Sequence, residues 1–286
     1  MRSSLQVRIL NVLTWAALLI AAFLTLLPML WLVTASLKAP EDFFSAPFLP
    51  AGDGWLGIGW DRITLRNFWR LFTELDFGVH VVNSAFYASF TAVVGTILCA
   101  MAGYALAKHR FRGNRFCTAL VLAALIIPGP LLLAPGYQWI WQLGLLNTYA
   151  GLILPGLVAP FGVFLFRQSM INAIPNELLE SARIDGCSEF RTFFTIVLPL
   201  VRPTVGAFLL ISFLAAWNNF IMPQIILQST DKFPLAVAIA QLKGTYSQDY
   251  GMLMAGTLVS VLPVIALFLA LQKEFISGLA AGAVKQ

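Results

Sequence analysis

Residues 174–199 read IPNELLESARIDGCSEFRTFFTIVLP, and this polar stretch governs how the rest of the chain is read. Leu178, Leu179 and Ala182 recur at three- to four-residue spacing, the mark of an amphipathic helix with one apolar stripe. Pro175 and Asn176 suit a helix start, and Glu177 and Glu180 complement the positive end of the helix dipole. Gly186 suits the residue just past the helix, where the backbone turns left-handed. A second helix is expected from Ser188, with Glu189 in its first turn and Pro199 as its stop. Helix, glycine turn, helix is therefore the expectation. Such a loop either lies on a lipid surface or enters a groove of another protein.

The flanking sequence is of another kind. The 286 residues are 59% hydrophobic and 11% charged, with mean hydropathy +0.82. A soluble domain carries roughly a quarter charged residues, so this composition marks a membrane protein. It excludes a soluble enzyme, a nucleic-acid binder or a disordered chain as readings of the whole. Runs free of Asp, Glu, Lys, Arg and His cover 9–37, 81–107, 116–166, 203–230 and 250–272. The third is long enough for two crossings at about 20 residues each and is cut near 138–148, where Gly144 supplies a turn. An all-α membrane protein with six transmembrane helices is expected. The first run is too long for the core of a cleaved signal peptide.

Orientation follows from the basic residues of the short loops. With both termini cytoplasmic, twelve of the 18 Lys and Arg fall inside and eight of the 13 acids outside. The net charge of +5 is then a topological signal, with no nucleic acid as partner. The expected divisions are 1–37 (tail and first span), 38–79 (an extracytoplasmic loop), 80–272 (a five-helix core containing the cytoplasmic loop 167–202) and 273–286 (a cytoplasmic tail). Residues 38–79 are too few for an independent core; they cap the helix ends or dock an extracytoplasmic partner.

No Lys precedes Ser or Thr, so a phosphate-cradling P-loop is missing and the chain is not expected to be an enzyme. His80 and Ser84 are one helical turn apart but lack a carboxylate partner. Three scattered cysteines give neither a disulfide framework nor a metal site. The spans hold no ionisable residue of the kind a proton-coupled carrier uses. They do hold breakers, with Pro128, Gly129, Pro130, Pro135 and Gly136 crowding one helix. Bent helices of this kind kink for packing or line a pathway. Energy is expected from outside the chain, with sodium coupling as the rival.

Glu180-Ser181-Ala182, then Gly186, then Ile196-Val197-Leu198-Pro199 resemble the EAA signature of bacterial ABC importer permeases, with Ser181 in place of the middle alanine. Asn83-Ser84, Gly103 to Lys108, Trp217 to Phe220 and the tail Phe275 to Lys285 resemble the carbohydrate-uptake branch, typified by the maltose-transporter inner-membrane subunits, and in it the shorter second permease. Residues 48–66, with Gly52, Gly54, Gly57 and Gly59, look like an insertion.

The resemblance implies a type I ABC importer permease fold in a bacterial cytoplasmic membrane. It implies a homologous second permease, two cytoplasmic ATPase subunits that hold ATP and Mg, and an extracytoplasmic solute-binding protein that delivers a sugar. This chain would bind no cofactor or metal. Leu178, Glu180, Ser181, Ala182, Arg183, Ile184, Asp185 and Gly186 would form a coupling helix seated in an ATPase, followed by Ile196, Leu198 and Pro199. Gly278, Gly282 and Lys285 of the tail would reach toward the ATPases. Trp217, Asn218 and Asn219 are candidates for the sugar pathway, since an aromatic face stacks on a sugar ring and amides pair with hydroxyls. Equally, Trp217 packs a span and the asparagines bind neighbouring helices. A polyol or glycerol phosphodiester would fit the same motifs.

Overall fold

A computed structural model describes residues 4–243 and 249–283. Among them the regular structure is helical, and extended backbone pairs only at two isolated bridges, Lys38 with Ile63 and Ala51 with Ile58. In chain order the α-helices are α1 (Ser4–Ser36), α2 (Arg66–Thr73), α3 (Phe77–Lys108), α4 (Asn114–Ile126), α5 (Leu133–Gln142), α6 (Tyr149–Ile153) and α7 (Pro160–Ala173). They continue with α8 (Asn176–Ile184), α9 (Glu189–Thr192), α10 (Leu198–Leu200), α11 (Arg202–Trp217), α12 (Ile221–Ile226), α13 (Leu235–Leu242) and α14 (Tyr250–Ala283).

Four stretches are long and apolar enough to cross a membrane: Arg8–Ser36, Phe77–Lys108, Tyr149–Ala173 and Tyr250–Ala270. Two further candidates are bent pairs, Asn114–Ile126 with Gly129–Gln142 at 104°, and Glu189–Leu200 with Arg202–Trp217 at 86°. The first bend has a local cause. Ile127 precedes Pro128 and is driven out of the helical region to φ −75°, ψ 119°, and Pro128 itself is extended. The prolines expected to crowd one helix therefore divide it.

At the second bend the structure corrects the expectation that Pro199 ends a helix. Proline offers no N–H to the carbonyl four residues back, and the preceding turn, Phe193–Val197, widens so that the Leu198 N–H bonds Phe193 O. The helix passes through Pro199 and turns instead at Val201, ahead of Pro203. The run 203–230 is likewise not one helix. It breaks at Asn218 and Asn219, and Leu227 is extended beyond α12.

The chain divides into two compact units, Met1–Phe77 with Ile239–Val261, and Gly78–Ala238 with Leu262–Gln286. In the first, α1 is exposed over most of the stretch from Arg8 and buried at its far end, at Leu32, Ala35 and Ser36. Thr14 and Thr25 turn their hydroxyls back onto Leu10 O and Ala21 O, each at 2.8 Å. Asn67 of α2 closes the far end of α1, donating to Ser36 O at 2.8 Å and Lys38 O at 2.7 Å. Lys38 is buried and donates to Ala46 O. Burial pushes its ammonium below the usual lysine range, with nearby Asp42 partly opposing the shift. Arg70 pairs with Asp249 at 2.5 Å and with Glu74 at 3.2 Å.

In the second unit α3 is the central rod. Near one end, His80, Asn83, Ser84 and Tyr87 share a face by their three- and four-residue spacing. They satisfy the backbone between α12 and α13, a 3-10 turn over Thr230–Lys232 and the residues that follow it. His80 Nδ1 bonds Phe233 O at 2.9 Å, and Asn83 donates to Asp231 O at 2.7 Å. Ser84 Oγ accepts the Leu235 N–H at 2.6 Å, and Tyr87 donates to Lys232 O at 3.1 Å. Near the other end, Cys99, Ala100 and Tyr104 pack with Phe166 and Met170 of α7, Leu179 of α8, Phe193, Val197 and Phe208.

Gly103 permits this contact, because a Cβ there would lie 2.7 Å from Phe166 Cβ and 2.8 Å from the Arg167 backbone nitrogen. Backbone cannot yield as a flexible side chain does. Gly103→Ala is expected to lower stability by roughly 1–3 kcal/mol. The measurement is thermal unfolding of the purified protein in detergent, and an unchanged midpoint would refute the close-packing account.

Candidate functional site

α8 starts at Pro175, whose backbone is extended, with Glu177 in its first turn and Arg183 in its last. It ends on a double hydrogen bond: the Gly186 N–H to Arg183 O at 3.1 Å and the Cys187 N–H to Ala182 O at 3.0 Å. Gly186 has φ +76°, the left-handed conformation this ending requires. Ser188 then caps α9, its Oγ accepting the Arg191 N–H at 3.4 Å. Helix, glycine turn and helix therefore follow from local chemistry.

The structure divides the apolar stripe. Leu179 and Ala182 are buried against the chain's own core, and Ala182 therefore has no surface to offer a partner. Leu178 is partly exposed, and Ile184 is 86% exposed. Glu180, Ser181, Arg183, Asp185 and Gly186 are exposed on the same helix and turn. The Ser181 hydroxyl is used locally, donating to Glu177 O at 3.0 Å. Ile196 and Leu198 are half-buried, Pro199 is exposed, and the fully buried member of that quartet is Val197.

Residues outside the sequence-derived set hold α8 in place. Lys108, the last residue of α3, donates to Ile174 O at 2.5 Å and Asn176 Oδ1 at 3.2 Å, fastening the approach to α8. Glu189 accepts from Arg183 Nε at 2.9 Å and from the Tyr104 hydroxyl at 3.4 Å. His109 Nε2 stands 3.5 Å from the same carboxylate, an ion pair when the imidazole is protonated. Tyr104 also meets the His109 ring edge-on at 4.9 Å. Both ends of α8 are thus tied to the end of α3. Spacing could not reveal this, because the partners lie far apart in sequence.

The second unit also contains a cavity of about 240 Å³. Tyr87, Thr91, Phe161, Ser212 and Asn219 line it, among others. Its wall is mostly aliphatic and aromatic, with the hydroxyls of Tyr87, Thr91 and Ser212 and the one amide of Asn219 set into it. Of the three pathway candidates, Asn219 lines this cavity. Asn218 is exposed and donates to Leu214 O of its own helix at 2.9 Å. Trp217 is 4% exposed and stacked on Phe213, with centroids 5.5 Å apart. Gly278 and Gly282 lie in the backbone of α14, and Lys285 falls outside the described residues.

The geometry therefore presents an apolar residue on a clamped loop helix and a small, mostly apolar cavity with a few polar groups in its wall. Comparison with known proteins gives this arrangement a context. Residues 92–275 match the family model of the binding-protein-dependent transport system inner membrane component. The chain is 37% identical to the arabinooligosaccharides transport system permease protein AraQ of Halalkalibacterium halodurans over 265 residues, 92% of each chain. It is 34% identical to the melibiose/raffinose/stachyose import permease protein MelC of Bacillus subtilis, with 91% of each covered. It is 29% identical to the lactose transport system permease protein LacG of Rhizobium radiobacter over the full length of both. A chain of a bacterial ABC transporter that imports the acidic polysaccharide alginate shares the fold, with TM-score 0.80 at 21% identity over 96% of this chain and 99% of that one. These findings make the chain a multi-pass membrane protein and a non-catalytic transport subunit, and it belongs to the family of binding-protein-dependent transport system inner membrane components.

Proposed function

We propose that the chain is one of two permeases of an ATP-driven importer that brings a sugar or oligosaccharide across a bacterial cytoplasmic membrane. Counting each bent pair as one span gives six crossings. With that count, the concentration of basic residues in alternate loops supports both termini in the cytoplasm. A homologous second permease completes the pathway, two ATPase subunits hold ATP and Mg below it, and a solute-binding protein delivers the solute from outside. The names of the relatives, which specify arabinooligosaccharides, lactose and raffinose-type sugars, support a carbohydrate. A polyol or glycerol phosphodiester is the second reading, because the cavity wall has hydroxyl and amide groups that would serve either.

The observation that carries the mechanism is Ile184, 86% exposed on a helix whose other face is locked into the core. An aliphatic side chain held rigidly in the open suits an apolar cleft on an ATPase. Leu178 extends that contact, and Glu180, Arg183 and Asp185 add polar contacts around it. Closure of the ATPases on ATP then moves α8 as a body. The permease pair rocks from inward- to outward-facing, and the solute passes through a cavity that includes Asn219. The tail residues Gly278 and Gly282 at the end of α14, with Lys285 after them in sequence, are the tail's candidates for contact with the ATPases.

The assembly is tested by purifying the tagged chain from its native membrane and identifying what accompanies it. A second permease and a P-loop ATPase are expected; a lone homo-oligomer with no ATPase after crosslinking would refute the importer.

Gly186→Pro cannot adopt φ +76°, so it should misdirect α8 and lower uptake by roughly 5- to 150-fold while ATP hydrolysis continues. Normal uptake would overturn the coupling role. Glu189→Gln, which weakens the ties to Arg183 and His109, should shift the same uptake-to-hydrolysis ratio with assembly intact; an unchanged ratio would make the clamp incidental.

Asn219→Ala removes one amide from the cavity and should weaken apparent solute affinity by about fivefold, near 1 kcal/mol. Asn218→Ala should leave it unchanged, because that amide is turned onto its own helix. Equal effects of the two on solute-stimulated ATPase would remove Asn219 from the pathway.

A further inference from the structure

Residues 50–59, within the glycine-rich stretch that looks like an insertion, form a tight hairpin that the transport reading leaves unused. The Gly57 N–H bonds Gly54 O at 2.9 Å, the Gly52 N–H bonds Gly57 O at 3.0 Å and the Gly59 N–H bonds Pro50 O at 2.9 Å. The strands close so tightly that a Cβ on Gly52 would lie 2.5 Å from the Gly59 Cα. At the tip, Leu56 and Gly57 have φ of +65° and +71°. A leucine rarely occupies that region. Here it does so with little of its own chain to pack on, since Trp55 is 77% and Leu56 72% exposed.

The base of the hairpin is fixed to the end of α1. Arg62 pairs with Asp42 and donates to Ala51 O at 3.1 Å. The Thr64 N–H bonds Leu37 O at 2.9 Å. From α1 an aromatic row continues outward, with Trp31 edge-on to Phe43 at 6.1 Å and Phe43 edge-on to exposed Phe44 at 5.0 Å.

We propose that this hairpin is a lipid anchor, inserting Trp55 and Leu56 into the headgroup–acyl boundary of the leaflet at the end of α1. Four observations favour lipid over a protein or a sugar as occupant. The hairpin is fixed to the end of α1, a helix long and apolar enough to cross a membrane, whose apolar side chains are exposed over most of its length before the buried Leu32, Ala35 and Ser36. The tip is apolar while charge is confined to its flanks, at Asp53, Asp61 and Arg62. That is the arrangement of a segment lying at an interface, with tryptophan at headgroup level. The turn bonds its own backbone, and the Trp60 indole N–H donates to Trp55 O at 3.2 Å, so insertion strands fewer polar groups in hydrocarbon. Leucine beside the tryptophan offers a sugar hydroxyl nothing to bond. The inference needs only that α1 crosses the bilayer, so it stands or falls separately from the transport reading.

The test uses the full-length protein in the complex it forms, reconstituted in phosphatidylcholine–phosphatidylglycerol nanodiscs. Leu56→Cys is made in a chain lacking Cys117 and Cys187, with buried Cys99 retained, and labelled with an environment-sensitive dye. Asp61→Cys is the reference. Quenching is measured with aqueous iodide and with lipids spin-labelled near the glycerol end of the acyl chain. The expected result is stronger lipid quenching and weaker iodide quenching at position 56 than at position 61. Equal iodide quenching at the two positions would place the hairpin in water and overturn the proposal. Protection of position 56 from both quenchers would show a protein covering it, the second permease or the binding protein, and overturn it equally. Should Leu56→Cys fail to assemble, Trp55→Cys gives the same readout.

Discussion

Hydrocarbon offers no hydrogen bonds, so every backbone group that leaves a helix inside the membrane must find a partner in the protein. Much of this chain's polar inventory serves that constraint. Thr14 and Thr25 return their hydroxyls to their own helix. The row His80, Asn83, Ser84 and Tyr87 supplies the backbone of 231–235, a 3-10 turn that runs into α13. Asn147, itself at φ +57°, accepts the N–H groups of Gln228 and Ser229 at 3.1 Å each, and its carbonyl takes Lys232 Nζ at 2.8 Å. These side chains supply partners for the break beyond α12, and broken helices leave room for a cavity that straight ones would close.

The loop helix α8 obeys a different rule. Its position is set by charge and hydrogen bonding where water is available, and by burial where it is not. Leu179 and Ala182 fix its rotation about its own axis. Lys108 and the Glu189 group of contacts fix its two ends. An exposed ion pair alone contributes little. Glu189 is useful because one carboxylate collects Arg183, Tyr104 and His109 beside a packed face. A helix held in this way transmits force, because it can turn only together with the core beneath it.

Much of this is legible in the sequence, and the failures have physical reasons. Apolar runs mark the spans because length and lack of charge suffice. The turn at Gly186 is legible because its hydrogen bonds are local. Prolines announce a break but not its angle, so the bends of 104° and 86° are invisible. Pro199 misleads because a widened turn absorbs the missing hydrogen bond. The apolar stripe of α8 is detectable, but periodicity cannot separate the arc that meets the chain's own core from the arc left open, and so it groups Leu178 with Leu179. Trp217 has the same chemistry whether it stacks on Phe213 or on a sugar, and only the packing distinguishes them. Glu189 meets Tyr104, and Lys108 meets Ile174 and Asn176, only in the folded chain.

The two parts of the candidate site share one helix. Tyr87 and Thr91 of α3 line the cavity, while Tyr104 and Lys108, near its other end, hold α8. Seventeen residues separate Tyr87 from Tyr104, about 25 Å of continuous helix. A helix of that length is stiff against tilting, and its contacts at each end are buried. If ATPase motion displaces α8, α3 must tilt with it, and the tilt reaches the cavity wall without passing through a loop. The spans then need no ionisable group to couple energy to transport. What they need is a rod fastened at both ends, which Gly103 makes possible by letting α7 lie against it at backbone distance.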